Sequence, residues 1–307
     1  ALSVYLKEKT HEFNDRTLSL DGERVITALE EIVGERNPAL VDLTVDDGYA
    51  FRDYWLNKGN SPDMARRRLN TINAIVNLSI RRHDIRNFNN PFSKIETKGA
   101  GKGAKHKRVA LSVGEIRQLQ PFVDRLEDKD ARDIWMLMVF TGARPGELAT
   151  LVRDDLSLDG SIPYLFIRAN SIWRVKTDSA DRRVPLLGDA LTIVERRATS
   201  LAKAGPNEPV FRRYGKARGA NLLSKNLTNM MKRSGVYEPR RKVPYSLRHA
   251  HKDWLRRVAP EDRVDLIHGH SNGSIARNYG SDHMLDLLQA DIEKALTTAG
   301  VLPVQRE

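Results

Sequence analysis

Residues 98–107, KGAGKGAKHK, divide the sequence into two parts, and each part has to bury a core of its own. This Gly- and Lys-rich segment lacks apolar periodicity, which is typical of a flexible linker and not of a packed element. The parts on either side of it are each long enough for an ordinary domain. We therefore predict a first domain at residues 1–97, a basic linker at 98–108 and a second domain at 109–307.

Positive charge is concentrated near the junction between these two parts. The chain of 307 residues has a net charge of +11. Residues 1–50 hold 5 Lys or Arg and 11 Asp or Glu, whereas residues 51–110 hold 14 Lys or Arg and 4 Asp or Glu. Such an excess favours a polyanionic partner, because each cation that meets a phosphate releases a condensed counterion. A basic protein without a nucleic-acid partner is the alternative that charge alone leaves open.

Composition excludes several other classes of protein. The 40% apolar and 30% charged residues predict a soluble globular protein. The absence of Cys excludes disulfides, thiolate nucleophiles and cysteine-based zinc sites. The sequence shows neither an apolar run near the roughly 18 residues of a membrane span nor a secretory signal. We therefore expect a cytoplasmic protein with no membrane partner.

The first domain is expected to be entirely helical. One helix is predicted at about 22–33, with apolar residues on one side and Gly34 as its stop. A second begins at Thr44, whose spacing to Asp47 resembles a capping box. A third begins at Ser61, which precedes a Pro at the first helical position, and its apolar residues recur with the 3.6-residue period.

The third helix also carries a polar face with three Asn residues, which are poor helix formers. A solvated face is one interpretation, but three Asn at helical spacing beside several Arg favour contacts with DNA phosphates or bases. The predicted DNA-contacting residues are Arg66, Arg67, Asn70, Asn73, Asn77 and Arg81 of this helix, with Lys102, Lys105 and Lys107 of the linker.

The second domain is expected to be mostly helical with one small antiparallel sheet. Its first helix follows a capping box formed by Ser112 and Glu115. Further helices are predicted at about 130–141, 188–203, 220–233, 246–258, 261–268 and 284–298. Strands are predicted at 164–168, 171–176 and 183–186. The predicted fold class is therefore mainly α with a small antiparallel β-sheet (α+β).

Four short segments of this domain contain residue types that suit phosphate chemistry. TGARPGEL places Arg144 in a turn before a short helix, and VKTD places Lys176 at the tip of a predicted hairpin. PYSLRH places Arg248 at the start of a helix, and HGHSNGSIARNYG contains His270 and, nine residues later, Tyr279. Each segment alone has an ordinary alternative, such as a surface Arg in a turn or a solvated Lys.

Taken together, in this order, these segments resemble the tyrosine recombinase (phage integrase) family. The resemblance covers nearly the whole chain, since SPDMARRRLNTINAIVNLSI followed by NNPFSKI is similar to the family's helical core-binding domain. It implies a core-binding domain and a catalytic domain that close as a clamp around double-stranded DNA. It also implies an enzyme that cuts and rejoins DNA at specific sites through a 3′-phosphotyrosyl intermediate, without a cofactor.

The resemblance implies a catalytic role for five matching residues. Arg144 and Arg248 bind the scissile phosphate, a task that suits the planar guanidinium group. Lys176 protonates the departing 5′ oxygen, and His270 donates a hydrogen bond to the phosphate or assists proton transfer. Tyr279 attacks phosphorus.

Two further residues are expected to support this site. Glu147 lies close enough in sequence to orient the guanidinium of Arg144. Tyr245 stands three residues before Arg248, where the family commonly has His. Its hydroxyl can form hydrogen bonds, but it cannot exchange protons at neutral pH as His can. Tyr245 is also the rival to Tyr279 as nucleophile.

A metal site built from His249, His251, His268 and His270 is the remaining alternative for this region. The segment lacks carboxylates at ligand spacing, so we expect no metal. We expect His249 to be structural or to contact DNA, and His268 to lie behind the catalytic residues.

The predicted function is integration or excision of a phage or other mobile element. Its expected partners are a DNA recombination site, accessory factors that bend DNA or set direction, and copies of the same chain. The resemblance implies a homotetramer on two DNA duplexes, with a monomer expected in free solution. The C-terminal helix is expected to dock on a neighbouring protomer, with packing on its own domain as the alternative.

Two other functions stay open, namely a type IB topoisomerase-like relaxase and a non-catalytic DNA-binding regulator of a mobile element. An intact set of five catalytic residues disfavours the regulator, and the core-binding domain disfavours the relaxase. Many integrases carry an additional N-terminal arm-binding domain. The sequence starts at the core-binding region, so we expect either a fragment or a protein without that domain.

Overall fold

The computed structural model describes residues 1–9, 15–101, 108–172, 181–269 and 282–302. The chain consists of two compact units, residues 1–106 and 107–307, and each has its own hydrophobic core. The boundary lies inside the segment in which the sequence predicts a linker. The DNA-binding and catalytic roles given to the two domains stay predictions.

The described part of the first unit contains four α-helices. These are α1 (Leu2–Lys9), α2 (Asp15–Val33), α3 (Val45–Asn57) and α4 (Pro62–Arg82). The predicted capping box at Thr44 is confirmed, because its backbone N–H donates to the Asp47 carboxylate at 2.7 Å and its hydroxyl accepts from the Asp47 N–H at 3.3 Å. The start of α4 at Ser61 is confirmed as well. The short α1 was not predicted, since eight residues with weak amphipathicity give no clear period.

The core of the first unit centres on Phe51 of α3. Its side chain is fully buried and packs edge-on against Phe92, with 5.7 Å between the ring centroids. The apolar stripe of α4 packs on the same core through Leu69, Ile72 and Val76. The apolar residues that recur with the helical period in the sequence therefore form the buried face of α4.

The described part of the second unit contains eight further helices. These are α5 (Val113–Asp124), α6 (Lys129–Thr141), α7 (Pro145–Ala149), α8 (Gly188–Ser200), α9 (Gly219–Arg233), α10 (Ser246–Leu255), α11 (Glu261–His268) and α12 (Asp282–Thr298). The capping box of Ser112 and Glu115 is confirmed at the start of α5. In the described ranges of both units, every helix is too short or too polar to cross a lipid bilayer.

A three-stranded antiparallel sheet completes the second unit. Its strands lie in the order β1 (Leu156–Ser157), β2 (Tyr164–Ile167) and β3 (Arg182–Pro185). The predicted strands at 164–168 and 183–186 correspond to β2 and β3. Most of the predicted strand at 171–176 lies outside the described residues. The sequence did not predict β1, because two residues cannot show an alternating pattern. The mainly helical fold class with a small antiparallel sheet is confirmed.

Helix α6 is the mostly buried helix that ends at the candidate site of the second unit. Trp135 and Met138 of this helix are fully buried, and α6 packs against α8, α10 and α7. The C-terminal helix α12 packs on α10, α6 and β3 of its own unit and buries Ile292 and Leu296. Docking of α12 on a neighbouring protomer stays a prediction, and Leu287 on this helix is exposed.

We expect Phe51→Ala to destabilise the first unit, since it removes a fully buried ring and leaves a cavity. The loss in free energy of unfolding should be about 3–5 kcal/mol. Urea denaturation measures it, with Tyr49→Ala as the control because Tyr49 is exposed on the same helix. Equal losses for the two variants would contradict the placement of Phe51 in the core.

Candidate active site

The turn between α6 and α7 places Arg144 at the edge of the second unit. Helix α6 ends at Gly142, which adopts a left-handed conformation with φ of 61°. Arg144 is the N-cap of α7, and its backbone N–H donates to the Glu147 carboxylate at 2.8 Å. Its guanidinium donates to the same carboxylate at 2.6 Å and keeps 33% of its side-chain surface exposed. Glu147 therefore holds both the backbone and the side chain of Arg144.

A second guanidinium, that of Arg182 on β3, binds the same carboxylate from the protein interior. Its Nη2 lies 2.7 Å from Glu147 Oε2, and its Nη1 lies 3.2 Å from Oε1. Its Nε donates to the carbonyl of Ile267 at 2.9 Å. Arg182 is buried, so the ion pair lies away from solvent. Arg182 was not predicted as a site residue, because nothing in the segment RRVP tells which of its two Arg points inward.

The ion pairs keep the Glu147 carboxylate charged. Burial alone would raise its pKa, but the charges and hydrogen bonds of Arg182 and Arg144 lower the pKa to about 2. For Arg144, burial lowers the pKa, whereas the charge of Glu147 and hydrogen bonds with Glu147 and Tyr245 raise it above its ordinary value. Both residues are therefore ionised at neutral pH.

Arg248, on the first turn of α10, lies deeper than Arg144. It is 2% exposed, and its Nη1 donates to the carbonyl of Gly142 at 2.8 Å. Its Nη2 donates to the carbonyl of His268. Burial and the nearby charges of Arg182 and Arg144 lower its pKa to about 10, so it stays protonated at neutral pH.

These contacts bring together residues that are far apart in the sequence. Among the described residues, three guanidiniums share the field of the Glu147 carboxylate, namely those of Arg144, Arg182 and Arg248. The group has more positive than negative charge and lies in a partly desolvated position, which favours an anion such as a phosphate group. The predicted pair Arg144 and Arg248 therefore lies at one site.

Tyr245, the N-cap of α10, is half-buried beside this group. Its hydroxyl contributes to the raised pKa of Arg144. The guanidinium of Arg108 lies 4.7 Å from the centroid of the Tyr245 ring. The His249 ring packs edge-on against the Tyr245 ring, with 5.4 Å between the ring centroids. The supporting role expected for Tyr245 stays a prediction. Arg108 was not predicted as a site residue.

Two buried histidines lie behind Arg248. His251 Nδ1 lies 3.1 Å from His268 Nε2, and His251 Nε2 lies 3.1 Å from the carbonyl of Phe140. Burial lowers the pKa of His251 to about 4. A Cβ atom added to Gly142 would lie 2.5 Å from His251 Nδ1, so glycine at this position leaves the space that the imidazole occupies. Within the described ranges, His, Asp and Glu residues form no group of three or more that could hold a metal ion.

Several predicted site residues lie outside the described residues. They are Lys176, His270 and Tyr279 of the catalytic set, and Lys102, Lys105 and Lys107 of the linker. Their predicted roles are untested by the structure.

The six predicted DNA-contacting residues of α4 fall into two groups. Arg66, Arg67, Asn70 and Arg81 are exposed. Asn73 and Asn77 are half-buried, and both accept hydrogen bonds of 2.8 Å from the side chain of Asn90. The amides of this second group therefore hold the segment after α4 in place. Contact with DNA stays a prediction for all six residues.

A second basic surface that the sequence analysis did not single out lies around α9. Residues 209–237 contain seven Lys or Arg and no Asp or Glu. Lys216, Arg218, Asn221 and Lys225 are exposed at the start of α9. A count of charge over this segment would have found the basic surface.

The chain is similar in sequence and in fold to known proteins. A model of the phage integrase family matches residues 110–284. A lambda integrase dimer bound to a COC' core site is 20% identical, with a TM-score of 0.63 over 94% of this chain and 94% of that chain. The Tn1549 transposon integrase in complex with transposon right end DNA is 19% identical, with a TM-score of 0.63 over 95% and 98%.

A lambda integrase tetramer bound to a Holliday junction is 18% identical, with a TM-score of 0.64 over 92% of this chain and 79% of that chain. At these identities, the solved structures show a common fold. No curated protein matches the sequence.

We expect Glu147→Gln to destabilise the second unit by about 3–5 kcal/mol, because it leaves the buried guanidinium of Arg182 without its counter-charge. Urea denaturation at neutral pH measures the loss. Glu127→Gln is the control, since Glu127 is exposed, and its effect should stay within about 0.5 kcal/mol. A Glu147→Gln protein as stable as the control would contradict the buried ion pair.

We expect the protein to lose stability as pH falls from about 6.5 towards 4, because His251 stays neutral in the fold but binds a proton in the unfolded chain. The loss over this window should be about 3 kcal/mol. Denaturation curves at several pH values measure it. His251→Phe should reduce the slope, whereas His83→Ala, which alters an exposed histidine, should not. The same slope in all three proteins would rule out this origin.

Proposed function

The chain belongs to the phage integrase family of tyrosine recombinases, and on that premise we propose that it cuts and rejoins DNA through a 3′-phosphotyrosyl bond to Tyr279. The observation that carries this proposal is that Arg248 donates to the carbonyl of Gly142, two residues before Arg144, so that both guanidiniums lie in one charged group with Glu147. These two Arg are 104 positions apart in the sequence, so a common position at one anion site is not a consequence of local structure.

The chemistry that we propose begins with the scissile phosphate between the two guanidiniums. Arg144 is partly exposed and already oriented by Glu147, so it can bind one non-bridging oxygen without losing its support. Arg248 is held from behind by two carbonyls, which leaves its orientation fixed before DNA binds. Fixed positive groups of this kind stabilise charge that develops on phosphorus in the transition state.

The covalent step conserves the energy of the phosphodiester bond. The Tyr279 hydroxyl attacks phosphorus and gives its proton to water, while the bond from phosphorus to the 5′ oxygen breaks. Lys176 gives a proton to that leaving oxygen, and His270 donates a hydrogen bond to the phosphate. Attack by a 5′-hydroxyl on the phosphotyrosyl bond reverses the step and rejoins the strand. A phenol has a pKa of about 10, so the cationic surroundings are needed to favour its ionised form.

DNA binding in this proposal uses basic surfaces of both units. The first unit provides exposed Arg66, Arg67 and Arg81 of α4, and the second unit provides the segment 209–237. Cations on these surfaces displace counterions from DNA, so affinity should fall steeply as salt rises. The side-chain amide of Asn70 on α4 can form hydrogen bonds with either bases or phosphates.

Assembly follows from the same premise. Lambda integrase is a tetramer on a Holliday junction. We assign to this chain a homotetramer on two DNA duplexes that integrates or excises a mobile element in the cytoplasm, with accessory factors that set direction.

A nicked suicide substrate tests the proposal. Duplexes built from the DNA that flanks the coding sequence should give an SDS-stable adduct with the full chain, measured by gel shift after denaturation. Tyr279→Phe should abolish the adduct, because it removes the nucleophile. Arg144→Ala and Arg248→Ala should each slow its formation by about 10²–10³-fold.

Two matched controls locate the covalent bond. Tyr237→Phe, in the same unit but outside the site, and Tyr245→Phe, the rival nucleophile, should both still form the adduct. An adduct that survives Tyr279→Phe would overturn the assignment, and no adduct from the unaltered chain would favour a non-catalytic DNA-binding regulator. Relaxation of supercoiled plasmid without sequence preference would favour a topoisomerase.

A further inference from the structure

Arg248 is held by the ends of two helices that come from different parts of the second unit. Its two carbonyl partners belong to Gly142, which caps the C-terminus of α6, and to His268, the last residue of α11. Carbonyls at a helix C-terminus lack partners within the helix, and the helix dipole favours a cation there. The position of the guanidinium therefore depends on how these two helix ends lie relative to α10.

The two buried histidines connect these same helix ends. The carbonyl of Phe140 can only accept, so the Nε2 of His251 must carry the hydrogen. His251 Nδ1 is then an acceptor, and the hydrogen between the two rings must belong to Nε2 of His268. The partners thus assign one direction of donation, from His268 to His251 to Phe140.

These bonds form a closed ring around Arg248. His251 lies three residues after Arg248, and so on the same side of α10. Phe140 lies two residues before Gly142 at the end of α6, and His268 uses its side chain for His251 and its carbonyl for Arg248. Loss of the bond between the histidines would remove the side-chain link between His268 and α10 and leave the bond from the guanidinium to the His268 carbonyl.

We propose that His251 and His268 are positioning residues that fix the Arg248 guanidinium by tying the ends of α6 and α11 to α10. The proposal rests on the role of Arg248 in DNA cleavage. Neither histidine contacts the phosphate in this proposal, and both act through the carbonyls that Arg248 binds.

Two substitutions of His268 separate positioning from packing. Gln at this position keeps an amide N–H that can donate to His251, whereas Leu fills similar space without a donor. At saturating suicide DNA, His268→Leu should form the covalent adduct about 10-fold more slowly, with DNA affinity within about 2-fold of the unaltered chain. His268→Gln should restore most of the rate. A fall in affinity together with an unchanged rate would overturn the proposal.

A double substitution tests whether His268 acts through Arg248. In an Arg248→Ala protein, the further change His268→Leu should slow adduct formation little, because the group that it positions is already gone. An independent, full additional loss would show that His268 acts by another route. If the unaltered chain gives no adduct, the proposed function fails and this inference fails with it. Equal rates for the unaltered chain and His268→Leu would overturn only the positioning role.

A spectroscopic measurement on the unaltered chain does not depend on how the variants fold. Nitrogen-15 NMR of the imidazoles at neutral pH should show His251 as the neutral tautomer with its hydrogen on Nε2, and His268 with a hydrogen on Nε2. A hydrogen on Nδ1 of His251 would break the assigned direction of donation and overturn the proposal.

Discussion

The Glu147 carboxylate is the group on which the arrangement of the candidate site depends. It accepts from the backbone and guanidinium of Arg144 at the start of α7, and from Arg182 on β3. The carboxylate thereby connects the turn before α7 to strand β3. All of these donors are wholly or partly buried. A neutral residue at position 147 would therefore leave buried cations without a counter-charge, which costs more free energy than the loss of an exposed ion pair.

Most of the helices could be predicted from the sequence, and so could the pair Arg144 and Arg248 that the structure places close together. Local signals were enough for Thr44, Ser61 and Ser112, because a cap acts on residues within one turn. Arg144 and Arg248 could be found because each lies in a distinctive short segment. Arg182 could not be found, because a shift of one residue in a strand exchanges its two faces. Only the pairing of β3 with β2 decides that Arg182 points inward while Arg183 stays half-buried.

The polar face of α4 shows the same limit in the first unit. The spacing of its Asn residues indicated one surface, but Asn73 and Asn77 meet Asn90, which lies in a segment beyond the helix. A periodic pattern of polar residues shows which side of a helix they share, but it does not show which other segment of the chain packs against that side. The residues of the predicted DNA-contacting set that are exposed on α4 are therefore mostly Arg, and contacts of Arg with phosphate would carry little sequence information.

The packing of α12 on its own unit affects how copies of the chain could exchange this element. A helix swapped between protomers must first detach, which exposes side chains such as Leu288, Ile292 and Leu296. Each of these costs roughly 1.5–3 kcal/mol to expose, and the ion pair between Arg263 and Asp291 must also break. Domain swapping through α12 would thus have a high activation barrier and be slow. The fraction of oligomers joined in this way would depend on how the sample had been treated more than on protein concentration.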